Sequence, residues 1–252
     1  MRHALVLPAL FLGCAAAPAA APANAPPAAY APPPLTQERV AALFQEVGTL
    51  RGLPPRATVP IYLLDENSFV LALRQLVTGN PQRGDHEAED AFVRGFHLAP
   101  QSPNAARSSS AREVLEEQVL AFYDADKHHI VARQAQPKTS REAEKQLGTL
   151  AHELEHALQD QHFPRADVES MSGMDEVLAY RAVLEGDAML AMVAFQAADR
   201  GIPFSRAIRR LSDVVRTTPV DHFVQSERGT ALRTALPMMR ERLLFPYHAG
   251  AG

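Results

Sequence analysis

The sequence predicts an α+β fold, mainly helical, with a small β-sheet or hairpin set just before one histidine-bearing helix. Three observations carry that expectation. Apolar residues recur at three- and four-residue steps in 36–53 and 139–163, the period of an amphipathic helix. "ATVPIYLLDENSF" and the latter half of "EVLEEQVLAFYDADKHHIVARQ" gather β-branched and aromatic residues around polar turns, as strands do. A long apolar stretch, residues 172–201, is bounded by Ser172 on one side and by Gly201 and Pro203 on the other, as a deeply packed helix would be. Across 252 residues, 46% hydrophobic content is enough for a core, in one large domain or two small ones. The 25 basic and 29 acidic residues leave a net charge of −4, and no basic stripe runs along the chain, so nucleic acid is excluded as an expected partner.

The chain opens with "MRHALVLPALFLGCAAAP", a basic start and an apolar run too short to span a bilayer. Phe11-Leu12-Gly13-Cys14 resembles a bacterial lipoprotein signal, with Phe11 standing where leucine is usual. The resemblance implies residues 1–13 as a signal peptide, cleavage before Cys14 and acylation of that cysteine. The protein would then be exported and anchored to a membrane of the cell envelope. Cys14 is the sole cysteine, so no internal disulfide can form. Residues 14–34 are nearly all Ala and Pro after Cys14 and read as an extended, semi-rigid tether, which leaves 35–252 as the folded domain.

Thr36 is placed to cap a first helix whose apolar positions are Val40, Leu43, Phe44 and Val47, closed by Gly52 and Pro54. A strand then leads into the helical "SFVLALRQLV". Residues 80–112 are polar and punctuated by Pro and Gly, a surface excursion with a short helix around Ala88 to Phe96. The Asp-Ala-Asp-Lys turn and the run at Ile130 and Val131 predict a hairpin. In the next helix Thr139 and Glu142 form a capping-box signature, Pro137 and Pro164 bound it, and Leu147, Leu150, Ala151, Leu154, Ala157 and Leu158 make one apolar stripe.

His152 and His156 lie one turn apart on that helix, within about 40° of each other and on nearly the opposite side from the stripe. Two imidazoles so spaced can converge on one zinc ion, and Glu153, turned to the flank, can reach a water on that metal without ligating it. The third ligand has two candidates. His162 matches the metzincin spacing, but Gln159 stands where that pattern has a turn-permitting glycine. A helix continuing to Phe163 would rotate His162 by about 120° and carry it roughly 9 Å along the axis. The other candidate is Glu185, a carboxylate inside an otherwise apolar helix, where it needs a partner. Its alternative is an ion pair with Arg181, one turn earlier. Ala182, Gly186 and Ala188 would let a neighbouring helix approach, and Asp187 points away, in a supporting position.

"HELEHALQDQHF" followed by "AVLEGDA" resembles a family of bacterial gluzincin-like HExxH zinc metallopeptidases with a HELxHALQDQ segment and a downstream EGDA. The likeness extends upstream through "LRGLPPRATVPIYLLDENSF" and "LAFYDADKHHIVA" and downstream to "FPYHAGAG". It implies a zincin-like domain, His152, His156 and Glu185 as ligands of one Zn²⁺, Glu153 as catalytic base, and a peptide or protein substrate. The family pattern continues past the FPY segment, so a chain shortened at its C-terminus is expected. Some gluzincins carry a histidine-orienting aspartate four residues after the ligand glutamate; Met189 stands there, and the orienting group must come from elsewhere. Oxyanion donors are sought among Tyr180, His222, Tyr247 and His248, and the strand at Ile130 to Arg133 is expected to pair with an extended substrate. Two other classes compete: a zinc-stabilised, catalytically inactive binding lipoprotein, and a purely structural envelope protein.

Overall fold

The computed structural model describes residues 35–78, 111–134, 137–167, 170–171, 173–217 and 230–251. The expected signal, Cys14 and the tether, the helix around Ala88 to Phe96, Ser172 and His222 lie outside the described residues. The elements are α1 (Gln37–Arg51), β1 (Ile61–Leu64), α2 (Glu66–Thr78), α3 (Ala111–Gln118), β2 (Ala121–Asp124), β3 (His129–Arg133), α4 (Ser140–His162), α5 (Met174–Asp199), α6 (Phe204–Thr217), α7 (Ala231–Thr234) and α8 (Pro237–Ala251). The fold is therefore mainly helical, with one three-stranded mixed sheet ahead of the long helix α4, as expected.

Local chemistry sets the boundaries. The Thr36 hydroxyl accepts from Arg39 N, and Gly52 ends α1 in the left-handed region at φ 69°, which a side chain would strain. Asp65 starts α2 by accepting from the backbone N–H groups of Asn67 and Ser68. Asp124 does the same for the hairpin turn, accepting from Asp126 N and Lys127 N while pairing with Lys127 Nζ at 2.8 Å. Thr139 caps α4 by accepting from Glu142 N, and the Glu142 carboxylate reaches back to Lys138 N. The helix runs unbroken through Gln159, as that residue's place in it predicts. Helix α5 starts from Gly173, which offers no side-chain cap. The segment "AREVLEEQ", whose first two residues fall in the expected 80–112 excursion, forms the short helix α3.

The strand order is β1-β3-β2, with β1 parallel and β2 antiparallel to β3. One expectation fails here. Strand β3 was to offer an edge to an extended peptide, yet both of its edges are already paired, because Ile61 to Leu64 add alongside it in parallel register. The outer strand near α4 is β2. Alternation along the strands assigns their two faces: Ile61, Ala121, Tyr123, Ile130 and Ala132 join Leu150, Leu154 and Leu158 of α4 and the apolar side of α1. Phe122 and Val131 turn the other way, onto Phe69 and Leu73 of α2.

Helix α4 is thus covered on one side by the sheet and α1. The opposite side, where His152 and His156 lie, is covered by α5, the helix expected to bring Glu185 to them, and His152, Glu153 and Glu155 are as buried as the leucines. The physical reason is α5 itself, whose 26 residues are apolar almost all round and so need neighbours on every side. Among the described residues no helix is long and apolar enough to cross a membrane. Helix α8 covers α5 further, at a crossing so close that a Cβ on Gly186 would stand 2.1 Å from the Gly250 carbonyl oxygen. The small residues flanking Glu185 therefore admit α8.

Leu154 is fully buried between α4 and the sheet, beside Glu153. Leu154→Ala is expected to lower the unfolding free energy by about 2–5 kcal/mol, measured by urea denaturation, while a change below about 1 kcal/mol would mean that α4 is not seated on the sheet.

Candidate metal centre

Three donor atoms converge in the α4–α5 interface. His152 Nε2 lies 3.1 Å from Glu185 Oε2 and 3.1 Å from His156 Nε2, and His156 Nε2 lies 3.5 Å from the same carboxylate oxygen. The imidazole planes are nearly perpendicular, at 85°, so both ring nitrogens aim inward without stacking. A tetrahedral ion with ligand bonds of about 2.0–2.1 Å holds its donor atoms roughly 3.3–3.4 Å apart, a spacing that the three observed edges bracket. The residues fit a divalent zinc ion, and among the described residues this is the one cluster that could hold a metal.

The supporting contacts explain how the donors are aimed. Gln159, one turn after His156, gives its amide nitrogen to Leu184 O at 3.0 Å and to Asp187 Oδ2 at 3.1 Å. That fixes the amide's orientation and leaves Oε1 to accept from His156 Nδ1–H at 2.9 Å. Burial would lower His156, but the Glu185 carboxylate outweighs it and raises the ring to about 9, so Nε2 would give up a proton on binding a metal ion. Arg51 ties the arrangement to α1, pairing with Asp187 at 2.6 Å and with the buried Glu155 at 3.0 Å. The group orienting His156 thus comes from its own helix. Gln159, notable in the sequence only as a departure from the metzincin glycine, has this positive role, and Arg51 and Glu155 had no sequence signal beyond being charged.

Charge follows geometry. Burial holds His152 below the ordinary imidazole range, which keeps it neutral as a ligand must be. Burial would raise Glu185, but His156 and the hydrogen bonds from both imidazoles outweigh it and hold the carboxylate down to about 2. Burial pushes Glu153 up to about 8, with His156 opposing and Glu185 reinforcing. One Glu153 oxygen accepts from Tyr123 N of β2 at 2.9 Å, and the other is buried with no hydrogen-bond partner. Arg181, the alternative partner of Glu185, is buried one turn away and feels its charge at longer range, while the carboxylate turns to the imidazoles.

His162 is not part of the cluster. It donates from Nε2 to Pro54 O at 2.8 Å, on the outer flank of α4, so the metzincin-like route fails for the reason the unbroken helix predicts. Of the oxyanion candidates, Tyr180 lines a cleft of about 380 Å³ with His156, Gln159, Tyr123, Arg165 and Val183, and its hydroxyl accepts from Ala166 N. Tyr247 is buried against His152 with its ring at 25° to the imidazole. The side chain of His248 lies outside the described residues. His156 is the most exposed of the three ligand candidates, at 16%, so this cleft gives access to the centre, whereas a larger cavity of about 590 Å³ beside Thr149 and Lys138 touches none of the three.

No protein-family model, curated protein or solved structure matches this chain. The centre therefore stands on its own residues.

Gln159→Ala is expected to weaken zinc binding by about 10–100-fold in a chelator-competition titration, as loss of an orienting hydrogen bond does, and His162→Ala to leave it unchanged. Equal loss in both variants would contradict the assignment.

Proposed function

We propose that the protein is a gluzincin-like zinc peptidase, exported and held at the cell envelope through Cys14. The observation that carries the reading is the unpartnered Glu153 oxygen, buried beside a His-His-Glu cluster of tetrahedral spacing. A base-positioned glutamate serves no purpose in a site that only stabilises the fold. A bound zinc supplies a Lewis acid for the scissile carbonyl and acidifies a water molecule. Glu153 accepts that water's proton at its free oxygen and passes it to the leaving amine, while Tyr123 N holds its other oxygen in place. Substrate enters by the cleft beside His156. Tyr180 on the cleft wall is the tyrosine best situated to donate to the developing oxyanion.

The near-complete burial of His152 and Glu185 favours a second reading, a zinc-stabilised binding lipoprotein without chemistry. An open, solvent-exchangeable coordination position separates the two.

The peptidase reading expects about one zinc per chain. Glu153→Gln should keep the metal and lose peptide cleavage by about 10²–10⁴-fold in a peptide-library digest, and full turnover by that variant would remove the base assignment. Metabolic labelling with a fatty acid should mark the wild type and not Cys14→Ser; equal labelling would exclude Cys14 as the anchor.

A further inference from the structure

Helix α8 contributes no ligand candidate, yet it reaches the centre. Pro246 lies inside this helix and cannot donate a backbone hydrogen bond, which favours a bend just where Tyr247 leaves the axis. One turn later Gly250 meets α5, where a Cβ would stand 1.8 Å from the Ala182 carbonyl oxygen, so only glycine lets the two backbones touch. That contact seats Tyr247 over His152, with ring centroids 6.2 Å apart and planes 25° from parallel. The tyrosine is 1% exposed, and its hydroxyl lies within reach of the Glu185 carboxylate, with Glu153 also close enough to act on it. Phenylalanine would fill the same space, so the hydroxyl is the part of this side chain that packing alone does not require.

We propose that Tyr247 is a positioning residue of the metal centre, its ring fixing the plane of His152 and its hydroxyl available to donate to the Glu185 carboxylate, so that docking of α8 completes the centre. The proposal rests on the reading of His152, His156 and Glu185 as metal ligands. Two contributions are separable. The ring shields one face of the imidazole and limits its rotation, while the hydroxyl selects one orientation of a carboxylate that has two oxygens to offer. Tyr247 thereby differs from Tyr180, which faces the cleft.

The test uses the full chain with Tyr247→Phe and Tyr247→Ala. It reads zinc affinity by chelator competition, the visible absorption of the Co²⁺-substituted centre, and the melting temperature without metal. Tyr247→Phe should bind zinc about 10-fold more weakly and shift the Co²⁺ bands, with the metal-free melting temperature unchanged; Tyr247→Ala should weaken binding further. Wild-type affinity together with an unaltered Co²⁺ spectrum in Tyr247→Phe would overturn the proposal. A wild-type chain that takes up no zinc would overturn the ligand reading and this proposal with it, and that result is seen before any variant is made. Should Tyr247→Ala fail to fold, Tyr247→Phe still decides the hydroxyl's role.

Discussion

The arrangement depends on one constraint: an ionised carboxylate, Glu185, is taken out of water into the interface between two helices. Burying such a charge without compensation is prohibitive, and the usual escape is for the group to take up a proton. Here the escape is closed, because two imidazoles stand 3.1 and 3.5 Å from the same oxygen and hold the carboxylate charged. The helices are packed so that this meeting occurs. The leucines of α4 fix its rotation against the sheet, and the apolar girth of α5 brings Glu185 against the opposite side.

The surrounding polar contacts extend that constraint outward. Gln159 joins His156 to Asp187, Asp187 joins Arg51, and Arg51 reaches Glu155 on the same helix as the histidines. These links tie three helices together at the level of the centre. Breaking one of them would leave a buried charge or amide unsatisfied, so the three candidate donors gain rigidity from groups outside their own cluster. On the sheet side, the backbone N–H of Tyr123 plays the equivalent part for Glu153. Glu153 is thereby held by a strand and the three candidate donors by helices, and their relative positions are set by how α4 seats on the sheet.

Much of this was legible because it depends on short spacings. His152, Glu153 and His156 share one helix, and the residues that bound it, Thr139, Glu142 and Pro164, all act within a turn of its ends. Glu185 was legible for another reason: a carboxylate in an apolar helix demands a partner, whatever the partner is. What escaped notice depends on distant parts of the chain. The parallel pairing of β1 with β3 joins residues far apart in sequence, and it removed the edge that the hairpin alone had implied. The bridging role of Gln159 required Asp187 and Leu184 to stand opposite, and the stacking of Tyr247 required the close crossing at Gly186 and Gly250.

The central claim is that the α4–α5 interface is a metal centre with three protein donors. A crystal of the full chain grown with zinc, measured at the zinc absorption edge, tests it most directly. The account predicts one strong anomalous peak per chain, at about 2.0–2.1 Å from His152 Nε2, His156 Nε2 and a Glu185 oxygen, with a fourth position held by solvent. An empty interface, or a peak bound by other residues, would contradict it.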